Sequence, residues 1–147
     1  MKRWFYELER IKQQDVWNGC GIAAVATACG VTYSRARFEF YPERKEFDDD
    51  KSLRVDGNQM LAVVRRLGFE AIASRSFKRF KRPTVLPFKW PSYLGAGVHC
   101  VVWDPSQKKT IDPGCDNYTT EEHIDYWRKS GYAAIVLLDR RRESEAA

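Results

Sequence analysis

The run Ile22 to Cys29, Ile-Ala-Ala-Val-Ala-Thr-Ala-Cys, constrains this chain more than any other feature. It is small or apolar throughout and rich in alanine, the best helix former. A helix that is apolar on every side has to be buried on every side. The run therefore predicts a central helix wrapped by the rest of the chain. Gly30 is placed to end it in a left-handed turn. Just upstream, Gln13 to Gly21 holds an Asp, an Asn and two Gly and breaks the helical pattern, so Cys20 falls where a loop meets the helix start.

The flanking segments read as helices first and strands later. Trp4 to Lys12 has helical apolar spacing at Trp4, Phe5, Leu8 and Ile11, and forms either a short amphipathic helix or a clip over the domain. Ser34 caps a second helix running to Tyr41. The charged stretch Glu43 to Arg54 is a solvated loop. Gly57 opens a helix over Asn58 to Leu67, with Met60, Leu61, Val64 and Leu67 on one face and Gly68 as its stop. Strands follow at Phe69–Ser74, Thr84–Phe88, Val98–Trp103 and Lys109–Asp112, with a turn-rich segment over Pro91–Gly97. Thr119 or Thr120 caps a helix to about Lys129, and Tyr132–Asp139 is a central last strand. Helices followed by a mostly antiparallel sheet predict an α+β fold.

The chain's 147 residues suit one domain with one sizeable core, with 140–147 as a frayed charged tail. No run of about 18 apolar residues is present. The first residues lack the apolar core of a secretory signal, so a cytoplasmic protein is expected. The four cysteines, Cys20, Cys29, Cys100 and Cys115, form no CxxC pair, and free thiols are expected over disulfides or zinc. The spacing of Asp48, Asp49 and Asp50 is not that of a calcium loop. The net charge of +5 permits acidic partners without demanding them.

A thiol at a helix N-terminus meets unpaired backbone N–H groups and the positive end of the helix dipole, which favour its reactive thiolate form. Gly19 and Gly21 leave the approach to Cys20 open. A cysteine nucleophile needs a base, and the chain offers only His99 and His123. His123 reads as a solvated residue in the first turn of a surface helix. His99 opens a strand. If Asp104 to Gln107 form the turn, Trp103 faces Lys108 and His99 faces Asp112, close enough for a carboxylate to orient the imidazole. A turn one residue longer would bring Pro113 opposite instead. Cys100 should point to the face opposite His99. Gln14, six residues before Cys20, can supply a side-chain amide to an oxyanion hole.

The stretch Gln14-Asp15-Val16-Trp17-Asn18-Gly19-Cys20-Gly21-Ile22-Ala23-Ala24 resembles the nucleophile segment of papain-like peptidases, and most nearly that of the C39 family, which includes the peptidase domains of bacteriocin-exporting transporters. Gly57–Leu61 with Leu67–Ala71, Thr84–Pro87, Val98–Val102 and Ile111–Gly114 resemble that family's middle helix, the strand before its histidine, and its histidine and aspartate segments, in the same order. The resemblance implies a papain-like fold and a cysteine peptidase that needs no cofactor or metal. In it Cys20 is the nucleophile, His99 the base and acid, Asp112 the orienter and Gln14 the oxyanion donor. Trp17, Gly19, Asp56, Gly57, Asn58 and Gly97 would face a peptide or protein substrate.

Two other functions fit the same residues. One is a non-catalytic or inhibitory binding module on the same fold. Its partner would dock at Arg75, Lys78, Arg79, Lys81 and Arg82, which alternate with Phe77 and Phe80. That pattern suits an acidic protein; nucleic acid is the less expected partner, and a solvated basic edge is the plainer reading. The other is an acyltransferase that hands the same thioester to an amine.

Overall fold

A computed structural model of the chain describes residues 8–12, 19–42, 56–76, 81–89, 98–114 and 118–140. The element order is α1 (Gly19–Cys29), α2 (Tyr33–Phe40), α3 (Gly57–Arg66), β1 (Phe69–Ser74), β2 (Thr84–Lys89), β3 (Val98–Asp104), β4 (Lys109–Ile111), α4 (Thr120–Ser130) and β5 (Ala134–Arg140). The strands form one antiparallel sheet in the order β1-β5-β2-β3-β4. The fold is α+β. Among the described residues no helix is long and apolar enough to cross a membrane.

Helix α1 is buried along its whole length, as its composition requires. Ile22 and Val25 are fully inaccessible, and each such side chain contributes roughly 1.5–3 kcal/mol of burial. Gly30 turns left-handed at φ 68°, and the Val31 N–H reaches back to the Ala26 carbonyl at 3.1 Å, closing the helix end in a Schellman turn. Residues 8–12 are not helical. They form a clip over α1, where Leu8 is buried and the Ile11 N–H donates to Thr27 Oγ1 at 3.0 Å.

The sheet lies between two helical layers. On one face, α1, α2 and α3 pack on Phe69, Ala71, Val85, Cys100, Val102, Ile135 and Leu137. On the other, Ile124 and Trp127 of α4 pack on Leu86, Phe88, Val101 and Trp103. Strand residues alternate between these layers, as a pleated strand buried on both faces must.

Several boundaries differ from the sequence reading. The cap of α2 is Thr32, which accepts from the Arg35 N–H at 3.1 Å, so Ser34 lies inside the helix. The cap of α3 is Asp56, in a reciprocal capping box with Gln59, and the buried face of α3 is Met60, Val63 and Val64. Thr119 rather than Thr120 caps α4, in a second capping box with Glu122. The hairpin turn is Pro105–Lys108, one residue later than expected. Asp104 stays in β3 because its Oδ1 accepts from Ser106 N, Ser106 Oγ and Gln107 N, at 2.9, 2.8 and 3.4 Å, and so organises the turn from the strand end. Trp103 therefore faces Thr110, and the ladder ends at Val102 opposite Ile111. His99 and Asp112 are not directly paired. The register differs from the expected one by two residues, and because side chains alternate with period two, His99 and Asp112 still belong to the same face.

Candidate active site

Cys20 is the second residue of α1, in the first turn, where backbone N–H groups have no intrahelical partner and the helix dipole is positive. Its thiol donates to the Val98 carbonyl at 3.5 Å. The layout of β3 explains this contact. The Thr110 N–H turns away from β3 to bond Thr120 Oγ1 at 3.0 Å, so the β4 residues that exchange hydrogen bonds with β3 are Lys109 and Ile111. The backbone groups of β3 that face β4 are then those of Asp104, Val102, Cys100 and Val98. Strand β4 stops after Ile111, and Pro113, next in register opposite Cys100, has no N–H to offer. Among the described residues no strand pairs with Val98 and Cys100 on that side, and the sulfur of Cys20 sits there.

An atom beside a strand edge can meet side chains from both faces of the sheet. Cys100 packs in the α1 layer. The His99 ring meets Phe88 of the α4 layer edge-on, with 5.5 Å between centroids. The two side chains thus point to opposite faces, as the alternation predicts, yet both act on Cys20. The Cys20 thiol is held well below its ordinary pKa, chiefly by a hydrogen bond from the Cys100 thiol. Burial opposes the shift, and the His99 imidazole adds to it by hydrogen bond and charge. The same contact, together with burial, pushes the Cys100 thiol well above its ordinary value. Cys100 is therefore more than core filling.

His99 Nε2 meets Asp112 Oδ1 at 2.8 Å, which leaves Nδ1 as the ring nitrogen available to the sulfur. Burial penalises the charged imidazole. The hydrogen bond to Asp112 and the contact with Cys20 outweigh that penalty and raise His99 from 6.5 to about 9. Burial likewise works against ionised Asp112. The contact with His123 and hydrogen bonds from His99 and from the Gly114 N–H, the last at 2.8 Å, hold its carboxyl well below the usual carboxylate range. Both shifts favour a thiolate beside an imidazolium, backed by a carboxylate, over the neutral pair.

His123 is not solvated. It is buried in α4, with Nε2 at 3.3 Å from Asp112 Oδ2 and Nδ1 at 2.6 Å from Thr110 Oγ1. The signal was present in the sequence: Thr120, His123, Ile124 and Trp127 repeat at i, i+3, i+4 and i+7, one face of a helix.

Of the other expected site residues, Gly19 is the buried first residue of α1. Gln14, Trp17 and Gly97 lie outside the described residues, as do Lys78, Arg79 and Cys115. Asp56 has a structural task, since its Oδ1 accepts the Gln59 N–H at 2.8 Å as the cap of α3; Gly57 and Asn58 form the first turn of that helix. In the basic segment, Arg75 and Lys81 are exposed, and Arg82 pairs with Asp139 at 3.8 Å. Cys20, Cys29 and Cys100 are free thiols. Among the described residues, no group of three or more His, Cys, Asp or Glu side chains is arranged to hold a metal ion.

Comparison with protein-family models, curated proteins and solved structures finds no match to this chain.

Proposed function

We propose that this chain is a cysteine hydrolase of papain-like fold, related to the C39 peptidases, that cleaves a peptide or isopeptide bond through a thioester. The observation that supports this reading is the continuous contact from the Cys20 sulfur through His99 to Asp112, with the thiol pKa pulled down and the imidazole pKa pushed up. Cys20 Sγ attacks the carbonyl carbon, and the developing oxyanion is met by the Cys20 N–H in the first turn of α1, to which the C39 resemblance adds the Gln14 amide. The His99 Nδ1 proton passes to the leaving amine as the C–N bond breaks, leaving an acyl thioester on Cys20 and a neutral imidazole. Water, giving its proton to His99, then displaces the sulfur and releases the acid.

The test is the rate of iodoacetamide alkylation at pH 5.5, mapped to each cysteine by mass spectrometry. An ordinary thiol of pKa about 8.5 is only ~0.1% thiolate there. Cys20 is expected to react at least about a hundredfold faster than glutathione under the same conditions. A Cys20 no faster than glutathione would sink the hydrolase and leave a binding module on this scaffold.

A further inference from the structure

We infer that His123 is a positioning residue of this site: its Nε2–H holds the Asp112 carboxylate so that Oδ1 is presented to His99. His99 Nε2 meets Asp112 Oδ1 at 2.8 Å, while His123 Nε2, buried and without a well-aligned hydrogen-bond partner among the described residues, has Asp112 Oδ2 as a neighbouring acceptor at 3.3 Å. The Gly114 N–H adds a second donor to Oδ1 at 2.8 Å. A carboxylate can only accept, so each Nε2 that faces it carries a proton. The other end of the His123 ring is fixed too. Thr110 Oγ1 lies 2.6 Å from Nδ1, and Thr120 Oγ1 lies 3.4 Å from Thr110 Oγ1 and 3.0 Å from the Thr110 N–H. With a proton on Nε2, the Thr110 hydroxyl is placed to donate to Nδ1.

The surroundings serve both imidazoles at once. The Phe88 ring lies 5.5 Å from His99 and 5.8 Å from His123 between centroids, so one side chain packs against both. Among the described residues, Asp112 and Tyr118, the latter at 6.2 Å between centroids, lie against His123, and Tyr126 meets Tyr118 edge-on and Phe88 at a tilt. Without His123 beside it, Oδ2 loses that neighbour, and the hold of Asp112 on the His99 proton weakens. His123 thus acts on the reaction through Asp112 and does not touch the reacting atoms.

The inference deepens the hydrolase reading and rests on it for the role of His99, but its test needs no turnover. The chain has only two histidines, so long-range 1H–15N spectra of the full chain resolve both rings. The expected His99 midpoint is about 9. In His123→Phe it should fall by about one pH unit, a tenfold loss of proton affinity. In His123→Gln, whose amide can still donate toward Oδ2, it should return to near the native value. Thr110→Val, which removes only the hydroxyl on Nδ1, covers the case of a His123→Phe chain that does not fold, and should also lower the midpoint. A His99 midpoint unmoved in the folded Phe variant, or in Thr110→Val where the Phe variant is unfolded, overturns the inference. So does a Gln variant no better than Phe. A purely structural histidine would change the melting temperature and leave the midpoint alone. The alkylation test of Cys20 fails or succeeds separately.

Discussion

The two faces of the sheet are built from different chemistry. The α1 side is mostly apolar, and the small side chains of Ala23, Ala24, Ala26 and Ala28 let its central helix lie close to β3. The α4 side is smaller, and its buried residues include His99, Asp112 and His123 beside Phe88 and Trp127. Apolar burial on the first face supplies stability without much demand on orientation. Polar groups on the second are acceptable only when each proton has its acceptor, so that face fixes orientations. Cys20 belongs to the first layer and is acted on from both: Cys100 of its own layer lowers its pKa most, and His99 of the second adds to the shift.

The sharpest way to break this contrast is Asp112→Asn. The two histidines and the Gly114 N–H all need an acceptor, and an amide would turn its own N–H₂ toward one of them. Cys20 alkylation and any turnover should fall by about 10²–10⁴-fold, the upper end matching the loss seen when a triad carboxylate becomes an amide. Wild-type rates in this variant would show that the polar face does not set the thiol's reactivity.

A second prediction concerns pH. His99, raised to about 9, contributes stability that is fully present below its unfolded value near 6.5 and is lost as pH rises through about 9. Cys20, lowered, contributes stability that is present above its unfolded value of about 8.5 and is lost as pH falls toward its folded value. The opposing slopes offset one another just below about pH 8.5, so the urea midpoint should vary little with pH there. Under about pH 4 it should fall as Asp112 takes up its proton. In Cys20→Ala the Cys20 slope is gone and His99 keeps only the support of Asp112, so the pH profile of the midpoint should change shape. An identical profile in Cys20→Ala would mean that the thiolate–imidazolium pair does not exist.

The apolar face should respond to volume instead. Ala24→Leu adds three heavy atoms at a fully buried position and should cost about 1–3 kcal/mol in urea unfolding. The His99 midpoint should stay where it was in the fraction that remains folded. The smallest effect is expected at Asp56→Ala, about 1 kcal/mol from loss of the α3 cap, with Cys20 alkylation unchanged. Slower alkylation there would return Asp56 to the cleft.

Much of this arrangement could be read from the residues. The alanine-rich run announced a buried helix, Gly30 and Gly68 marked helix ends, and Phe69–Ser74 had the composition of the strand it forms. Alternation placed His99 and Cys100 on opposite faces. The hairpin register was harder, because the carboxylate of Asp104 organises the turn from inside the strand and moves the turn one residue along. The shared face of His99 and Asp112 survived only because the resulting shift was even. His123 was missed because an imidazole in a first helical turn looks the same whether water or a carboxylate receives it; only the i, i+3, i+4, i+7 face distinguished the two. That Cys100 would touch Cys20 could not be read from strand periodicity, which assigns faces and is silent about what stands beside an edge.

Pro113 follows Asp112 directly, where β4 would otherwise continue along Val98 and Cys100. A residue with an amide hydrogen there could extend the pairing, and the groups now turned to Cys20 would be consumed by an ordinary hairpin. The sulfur's berth is therefore kept open by a ring that closes on its own nitrogen. One imino acid, touching no substrate, decides whether the longer strand ends as scaffolding or as a workplace.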